Sequence, residues 1–323
     1  FAIHEYNQNN FSKVGLLIRD TKRNRENITE INNELRGIRN IAAIIGPLFS
    51  DEVRIAAETF KSTDIPLISP TATDNDLLGI NNYFFQANPS FDMRGRVMAQ
   101  YLIFVENKRN IAVFNRDDGY SALLAQSFIE EFQKFGGTVV THQTYPSSSD
   151  DLSNYASSIN TVRSRIDGIY IPLSERGDAR KVLSALSNFD FNVSLYGNQD
   201  WFQVQGLGNF PNITDKLTFT SDYFIDFNSP EIRELSNKFR STTGMEVNRN
   251  MLYGYDTAKL LVELLSNGNL TRDKVYREFL SGLRSTGYHN NIYFDERKVN
   301  SYLNIVRYRN GVFELIDRFN ASK

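Results

Sequence analysis

The chain has 323 residues, 41% hydrophobic and 23% charged, the balance of a globular protein of about two domains. Its 36 basic and 38 acidic side chains leave a formal net charge of -2, without the basic excess that marks a nucleic-acid binder. Cysteine is absent, which excludes disulfide scaffolds, thiolate zinc sites, iron–sulfur ligation and cysteine nucleophiles together.

No apolar run approaches the ~20 residues of a spanning helix. The opening Phe1-Ala-Ile-His-Glu-Tyr6 has no initiator methionine and no basic or apolar leader segment, so it reads as the start of a processed product or an excised piece. Short apolar runs then alternate with amphipathic stretches. Val14-Gly-Leu-Leu-Ile18 reads as a buried strand, Thr29 to Leu35 as a helix, and Ile41 to Ile45 as a strand ending at Gly46-Pro47. Glu52 to Lys61 places Val53, Ala56, Ala57 and Phe60 at helical spacing, and Ile65 to Ile68 is a further short strand. The order repeats: helix Met93 to Val105, strand Asn110 to Phe114, helix Ser121 to Phe135, strand Thr138 to Thr141. A Ser/Asp cluster, Ser147 to Asp151, then caps a helix running to Val162. Strand Gly168 to Pro172, helix Ala179 to Asn188, and strands Ser194 to Gly197 and Leu217 to Thr220 follow. Helices are expected at Pro230–Thr242, Met251–Leu265 and Arg272–Leu283, then a hairpin over Tyr302 to Ile316 turning at Arg309-Asn-Gly311. Apolar strands alternating with helices imply an α/β fold with doubly wound sheets, in two similar lobes.

The routes to catalysis are thin. The three histidines, His4, His142 and His289, have no helical metal-ligand spacing. No nucleophile elbow and no phosphate-binding glycine loop with its lysine occurs, and Gly206-Leu-Gly208 reads as a turn. The acid pairs Asp117-Asp118 and Asp150-Asp151 fit turns and helix caps better than an acid/base couple. No catalytic residue, metal ligand or cofactor is assigned, and the chain is not expected to be an enzyme. Six Asn-x-Ser/Thr triplets, at Asn10, Asn27, Asn192, Asn212, Asn269 and Asn320, are expected by chance in an asparagine-rich chain.

Three loops sit where strands end and helices begin, the place at which open α/β sheets hold ligands. In Gly46-Pro-Leu-Phe-Ser-Asp-Glu52, Ser50 or Asp51 either caps the next helix or helps it hold an anion. Ile68-Ser-Pro-Thr-Ala-Thr-Asp74 offers the hydroxyls of Thr71 and Thr73, or is a plain Ser/Thr turn. Asn115-Arg-Asp-Asp-Gly-Tyr-Ser121 presents Tyr120, either packed or covering a ligand group.

These segments carry a resemblance. Ile45-Gly-Pro-Leu-Phe-Ser50, Ile65-Pro-Leu-Ile-Ser-Pro-Thr-Ala-Thr73, Tyr83-Phe-Phe-Gln-Ala-Asn-Pro89, Ile111-Ala-Val-Phe114 with Asp118-Gly-Tyr120, and Gly254-Tyr-Asp-Thr-Ala258 together resemble the type I periplasmic solute-binding proteins. Within them, the chain is most similar to the branch that binds leucine, isoleucine and valine for ABC importers. The resemblance implies two doubly wound, Rossmann-like lobes joined by a three-strand hinge that closes by a rigid-body bend. Carried over, lobe one is residues 1–88 plus 226–298 and lobe two is 89–225 plus 299–323. It also implies that the family's first strand, central in the sheet of lobe one, is missing from this chain, with Phe1 to Asn7 as the end of the first helix.

The site residues follow from the same resemblance. Ser50 matches the hydroxyl on the ligand carboxylate; Ala72 and Thr73 match the backbone and hydroxyl donors beside it. Tyr120 matches the aromatic of the closing lobe, and Ser174 a small polar position there. The acid that meets the ligand ammonium aligns with Gln199, with Asp200 as its neighbour; on an extended segment the two point to opposite sides. Trp201, the only tryptophan, is either a pocket wall or core. The expected function is that of a periplasmic or extracellular solute-binding protein, closing on a small amino acid or related carboxylate and delivering it to an ABC permease. A ligand-binding sensory domain of a membrane receptor and a degenerate module recognising a protein partner are the alternatives. Membrane contact is expected only through a partner or a lipid anchor outside this chain, and no nucleic-acid partner is expected.

Overall fold

A computed structural model of the chain describes residues 1–264 and 271–321. It divides into two units, Phe1–Ser90 with Ile225–Tyr302 and Phe91–Phe224 with Leu303–Lys323, so the backbone passes from one to the other three times.

The first unit opens with α1 (Ala2–Asn9) and α2 (Arg25–Arg36). Asn24 caps α2 by accepting the Asn27 amide at 2.9 Å, and the helix buries Ile28 and Leu35. After β1 (Ile44–Ile45) come α3 (Ser50–Thr59), β2 (Leu67–Ser69) and β3 (Phe84–Gln86). These strands form a parallel sheet in the order β1-β2-β3. Neighbouring residues on a strand face opposite sides. Leu67 and Phe84 pack with Ile28, Leu35, Val53 and Phe60, whereas Ile68 and Phe85 pack with Leu260, Val275 and Phe279. Each face of the sheet therefore carries its own helical cover.

The second unit begins with α4 (Phe91–Phe104), β4 (Asn110–Arg116), α5 (Gly119–Lys134) and β5 (Thr138–Tyr145). It continues through α6 (Ser153–Asn160), β6 (Gly168–Ile171), α7 (Arg176–Ser187), β7 (Ser194–Asn198), α8 (Pro211–Thr214) and β8 (Leu217–Ser221). The chain then returns to the first unit as α9 (Pro230–Thr243), α10 (Arg249–Glu263), α11 (Arg272–Leu280), β9 (Arg284–Thr286) and β10 (Asn291–Tyr293), the last two an antiparallel pair. It ends in the hairpin β11 (Tyr302–Arg309) and β12 (Val312–Asn320). Asn310 and Gly311 turn it with φ of 50° and 82°, the left-handed pair that an Asn-Gly turn supplies. The sheet of the second unit runs β12-β11-β8-β7-β6-β4-β5, parallel from β8 to β5 and antiparallel where β11 meets β8. Ile169 and Ile171 of β6 enter one core, while Tyr170 between them stacks on Phe128 with ring centres 4.1 Å apart.

The architecture is the α/β fold expected, but several elements differ. Val14 to Ile18 forms no strand: Leu16, Leu17 and Ile18 are 59%, 49% and 77% exposed. An apolar run becomes a strand only with a ladder partner, and among the described residues these five have none. The strand expected at Ile41 to Ile45 shortens to its last two residues. The expected helix to Leu283 stops at Leu280 and gives way to β9. Leu265, at the end of the expected Met251 helix, and Asn269 lie outside the described residues.

Candidate functional site

In the first unit the loop after β1 and the loop after β2 are stitched together by hydroxyls. Ser69 Oγ donates to the Pro47 carbonyl at 2.9 Å and accepts the Ala72 amide at 3.2 Å. Thr71 Oγ1 donates to the Leu48 carbonyl, and Asn88 Nδ2 donates to the Thr71 carbonyl at 3.2 Å. Ser50 Oγ accepts the Thr73 amide at 3.3 Å. Ser50, Ala72 and Thr73 are thus brought together. The capping role weighed for Ser50 and Asp51 is not what the structure shows: the cap position of α3 is Phe49, which makes no side-chain cap, and Ser50 is the first helical residue. Asp51 and Glu52 already occupy the first turn and offset the helix dipole themselves. The uncommitted side-chain donors at this corner are therefore its hydroxyls. Ser50 keeps its O–H after accepting from Thr73, and the Thr73 hydroxyl has no partner among the described residues. Ala72 is buried and its amide is taken by Ser69. Leu48 and Phe49, 44% and 51% exposed, form an apolar rim beside Ser50, and the Arg23 guanidinium sits 4.2 Å from the Phe49 ring centre.

In the second unit, Tyr120 follows Asp118, the N-cap of α5. Its hydroxyl accepts from Arg94 Nη1 at 2.9 Å and from Asn198 Nδ2 at 3.4 Å. Asn198 Nδ2 also reaches Asp200 Oδ2 at 2.6 Å. Arg94 Nη2 pairs with Asp222 Oδ2 at 2.9 Å, both side chains almost wholly buried. Burial raises the Asp200 carboxyl above its ordinary value, against the pull of Arg94 and of the Asn198 hydrogen bond. Burial likewise raises the Tyr120 phenol.

Gln199 and Asp200 differ in their local bonding. The segment Gln199–Gln203 is a 3-10 turn rather than extended chain, so neighbours diverge by about 120° rather than face opposite sides. Gln199 Oε1 accepts the Asp222 amide at 3.2 Å, while Asp200 joins the Tyr120 network. Ser174 lies elsewhere in its bonding: its Oγ donates to Asp118 Oδ1 at 2.7 Å. Trp201 is core, fully buried with Nε1 donating to the Ile171 carbonyl at 3.0 Å, and is no pocket wall. The acid pairs are structural too: Asp117 accepts the Ser147 amide, Asp150 pairs with Lys181 and Asp151 accepts the Ser153 amide.

Sequence reading did not find Arg94, Asn198 or Asp222. The one signal available for Arg94 was a charged residue on a helix otherwise buried along Met93, Val97, Met98, Tyr101 and Leu102, a placement that demands a buried counter-charge. Among the described residues, no group of three or more His, Asp or Glu side chains could hold a metal ion, and no helix is long and apolar enough to cross a membrane.

Residues 3–301 match the family model described as periplasmic binding protein. No curated protein matches the chain. Among solved structures it is similar to a putative branched-chain amino acid ABC transporter protein from Rhodospirillum rubrum, with TM-score 0.82, 19% identity, and coverage of 98% of this chain and 92% of that one. It is also similar to an ABC transporter substrate-binding protein from Desulfitobacterium hafniense in complex with Leu, with TM-score 0.64, 22% identity, and coverage of 98% and 93%. A third is the solute-binding protein of an ABC transporter from Rhodopseudomonas palustris BisB5 in complex with 3,4-dihydroxybenzoic acid, with TM-score 0.58, 16% identity, and coverage of 100% and 92%. With the family model spanning nearly the whole length and two doubly wound α/β units beneath it, the chain belongs to the periplasmic binding protein family, in its type I fold.

Proposed function

We propose that the chain is an extracytoplasmic solute-binding protein that captures a small amino acid or related carboxylate and delivers it to an ABC importer. Its task is binding rather than catalysis. The observation that carries the reading is the hydroxyl pair of the first unit, Ser50 and Thr73, joined through the Thr73 amide with both O–H groups left to donate. Neighbouring hydroxyl donors suit a carboxylate, and hydrogen bonds to a charged group are the stronger kind. In the second unit Arg94 and Asp222 neutralise one another, and Asp200 accepts from Asn198. The similar structures in complex hold leucine and 3,4-dihydroxybenzoic acid, and those two ligands share a carboxylate.

The test is a thermal-shift panel of L-leucine, L-isoleucine, benzoate and 3,4-dihydroxybenzoate, followed by calorimetry. A ligand at 100 times its Kd stabilises the native state by about 2.7 kcal/mol, a visible rise in melting temperature. Ser50→Ala and Thr73→Val are each expected to weaken that ligand by roughly ten- to a hundredfold, the equivalent of about 1.5–3 kcal/mol per charge-assisted bond, with the fold intact. Unchanged affinity in both variants would remove the assignment of the site.

A further inference from the structure

We propose that Met245 is a surface site of peroxide oxidation: its thioether takes up one oxygen atom as the sulfoxide, and the fold is unchanged by the event. The inference stands apart from the solute-binding reading and does not depend on it.

The chain has four methionines and no cysteine, so its sulfur chemistry is thioether chemistry alone. Exposure separates the four. Met93 and Met98, on α4, are fully buried. Met251 is half-buried in the first turn of α10. Met245 is 57% exposed, within a run from Ser241 to Glu246 that is exposed throughout. The oxidant must reach a lone pair on sulfur, so access decides which of the four reacts first.

The local structure does not lean on that sulfur. Helix α9 closes at Gly244, whose φ of 71° is the left-handed geometry of a helix end and whose amide donates to the Arg240 carbonyl at 2.8 Å. The Met245 amide donates to Thr243 Oγ1 at 3.2 Å, and Arg240 pairs with Glu246 at 3.2 Å across the turn. Sulfoxide formation makes a flexible apolar side chain polar. At Met93 or Met98 that would bury a new polar group in a packed core. At Met245 the new S–O group meets water.

The chemistry balances with a peroxide as oxidant. A sulfur lone pair attacks one peroxide oxygen, the O–O bond breaks, and the departing hydroxide collects the proton left on the transferred oxygen and becomes water. Sulfur gives up two electrons and the peroxide takes them. The return step, sulfoxide with two thiols giving thioether, disulfide and water, must draw its thiols from another molecule, because this chain has none.

The experiment treats the native chain with hydrogen peroxide and follows each methionine by peptide mass mapping, beside the intact mass and the melting temperature. Met245 is expected to oxidise at least roughly tenfold faster than Met93 and Met98, with Met251 between them. The singly oxidised chain is expected to melt with the untreated one. In Met245→Leu the fast uptake of the first oxygen is expected to vanish, and in urea the four rates are expected to converge. A Met245 rate no faster than that of the buried pair overturns the proposal, as does a fast phase that survives Met245→Leu. A Met245 that stays ahead in urea would place the cause in local sequence instead of exposure, and a lowered melting temperature in the singly oxidised chain would show that the fold depends on the sulfur; either result also overturns it.

Discussion

Ser174 donates its hydroxyl to Asp118 across 2.7 Å, and Asp118 accepts the Ser121 amide through the same oxygen at 2.8 Å. The other Asp118 oxygen lies 3.2 Å from Arg116 Nε. A residue expected to touch ligand thus supports a helix cap. Asp118→Ala should cost about 0.5–2 kcal/mol, the usual value of an N-cap. Ser174→Ala should cost no more than about 1.5 kcal/mol and should change stability more than affinity. Urea unfolding beside calorimetry separates the two, and a Ser174→Ala variant of normal stability with weakened binding would return Ser174 to the ligand.

Trp201 makes a spectroscopic prediction. Its indole is fully buried and its Nε1 is bonded to the Ile171 carbonyl. A side chain on Gly197 would meet Nε1 at 2.3 Å and that carbonyl at 2.9 Å, so the glycine is the space the indole uses. Native emission should be blue-shifted and poorly quenched by iodide, and it should red-shift only on unfolding. Trp201→Phe leaves the Ile171 carbonyl without its donor, a loss of about 1–3 kcal/mol.

These two residues show what a sequence can reveal of such a site. Strand–helix alternation was legible because parallel strands covered on both faces must be apolar throughout. The Leu67/Ile68 and Phe84/Phe85 pairs, split between two cores, are that rule in practice. The loops at Ser50, Thr73 and Tyr120 stand out as candidates because strand ends are where such sheets hold ligands. The partners of those residues were not. Arg94 and Asp222 are 128 positions apart, and no local period connects them. Val14 to Ile18 has the composition of a strand and lacks a ladder partner, which is a property of the neighbouring chain and not of the segment.

Helices α4 and α5 meet at Gly95. An added Cβ there would lie 2.2 Å from Ser127 Oγ, 2.5 Å from the Leu124 carbonyl and 2.8 Å from the Phe128 amide. Two of these are backbone atoms and cannot swing aside. Gly95→Ala would otherwise favour the helix by about 1 kcal/mol, but overpacking costs typically 1–3 kcal/mol, and two backbone collisions put this site at the upper end. A net loss of stability is expected in chemical denaturation; a gain would mean that the two helices separate freely.

Asp256 accepts the Tyr288 amide at 2.9 Å and the His289 amide at 3.0 Å, and pairs with the His289 ring. It is fully buried on α10, so one carboxylate holds the whole Tyr288–His289 turn. Asp256→Ala orphans both amides in a dry place. A loss of about 3–5 kcal/mol is expected, as when one partner of a buried charged set is removed. Asp256→Asn, which keeps one acceptor, should lose less. Equal losses would show that the shape of the side chain matters here and its acceptors do not.

Asp200 ties stability to pH with a definite sign. Burial raises its carboxyl above the ordinary carboxylate value, so between the unfolded and folded values the native state binds the extra proton. Stability from this group is complete below the unfolded value and falls as pH rises through the folded one. Glu52, raised for the same reason, adds to that slope, while the exposed carboxylates Glu34, Asp150, Asp151 and Glu234, lowered by their partners, act the other way. The comparison that isolates Asp200 is therefore variant against wild type at each pH. Asp200→Asn should melt above wild type at pH 7, because it removes the cost of a buried charge and leaves Arg94 balanced by Asp222. The difference should shrink as pH falls towards the unfolded value. The same substitution should abolish any preference for L-leucine over its deaminated analogue, so that the residue which costs the empty protein stability is the one that recognises the amine. A variant that melts lower at pH 7 would show that the charge at this position is repaid within the ligand-free fold, and that it is not held in reserve for a cation.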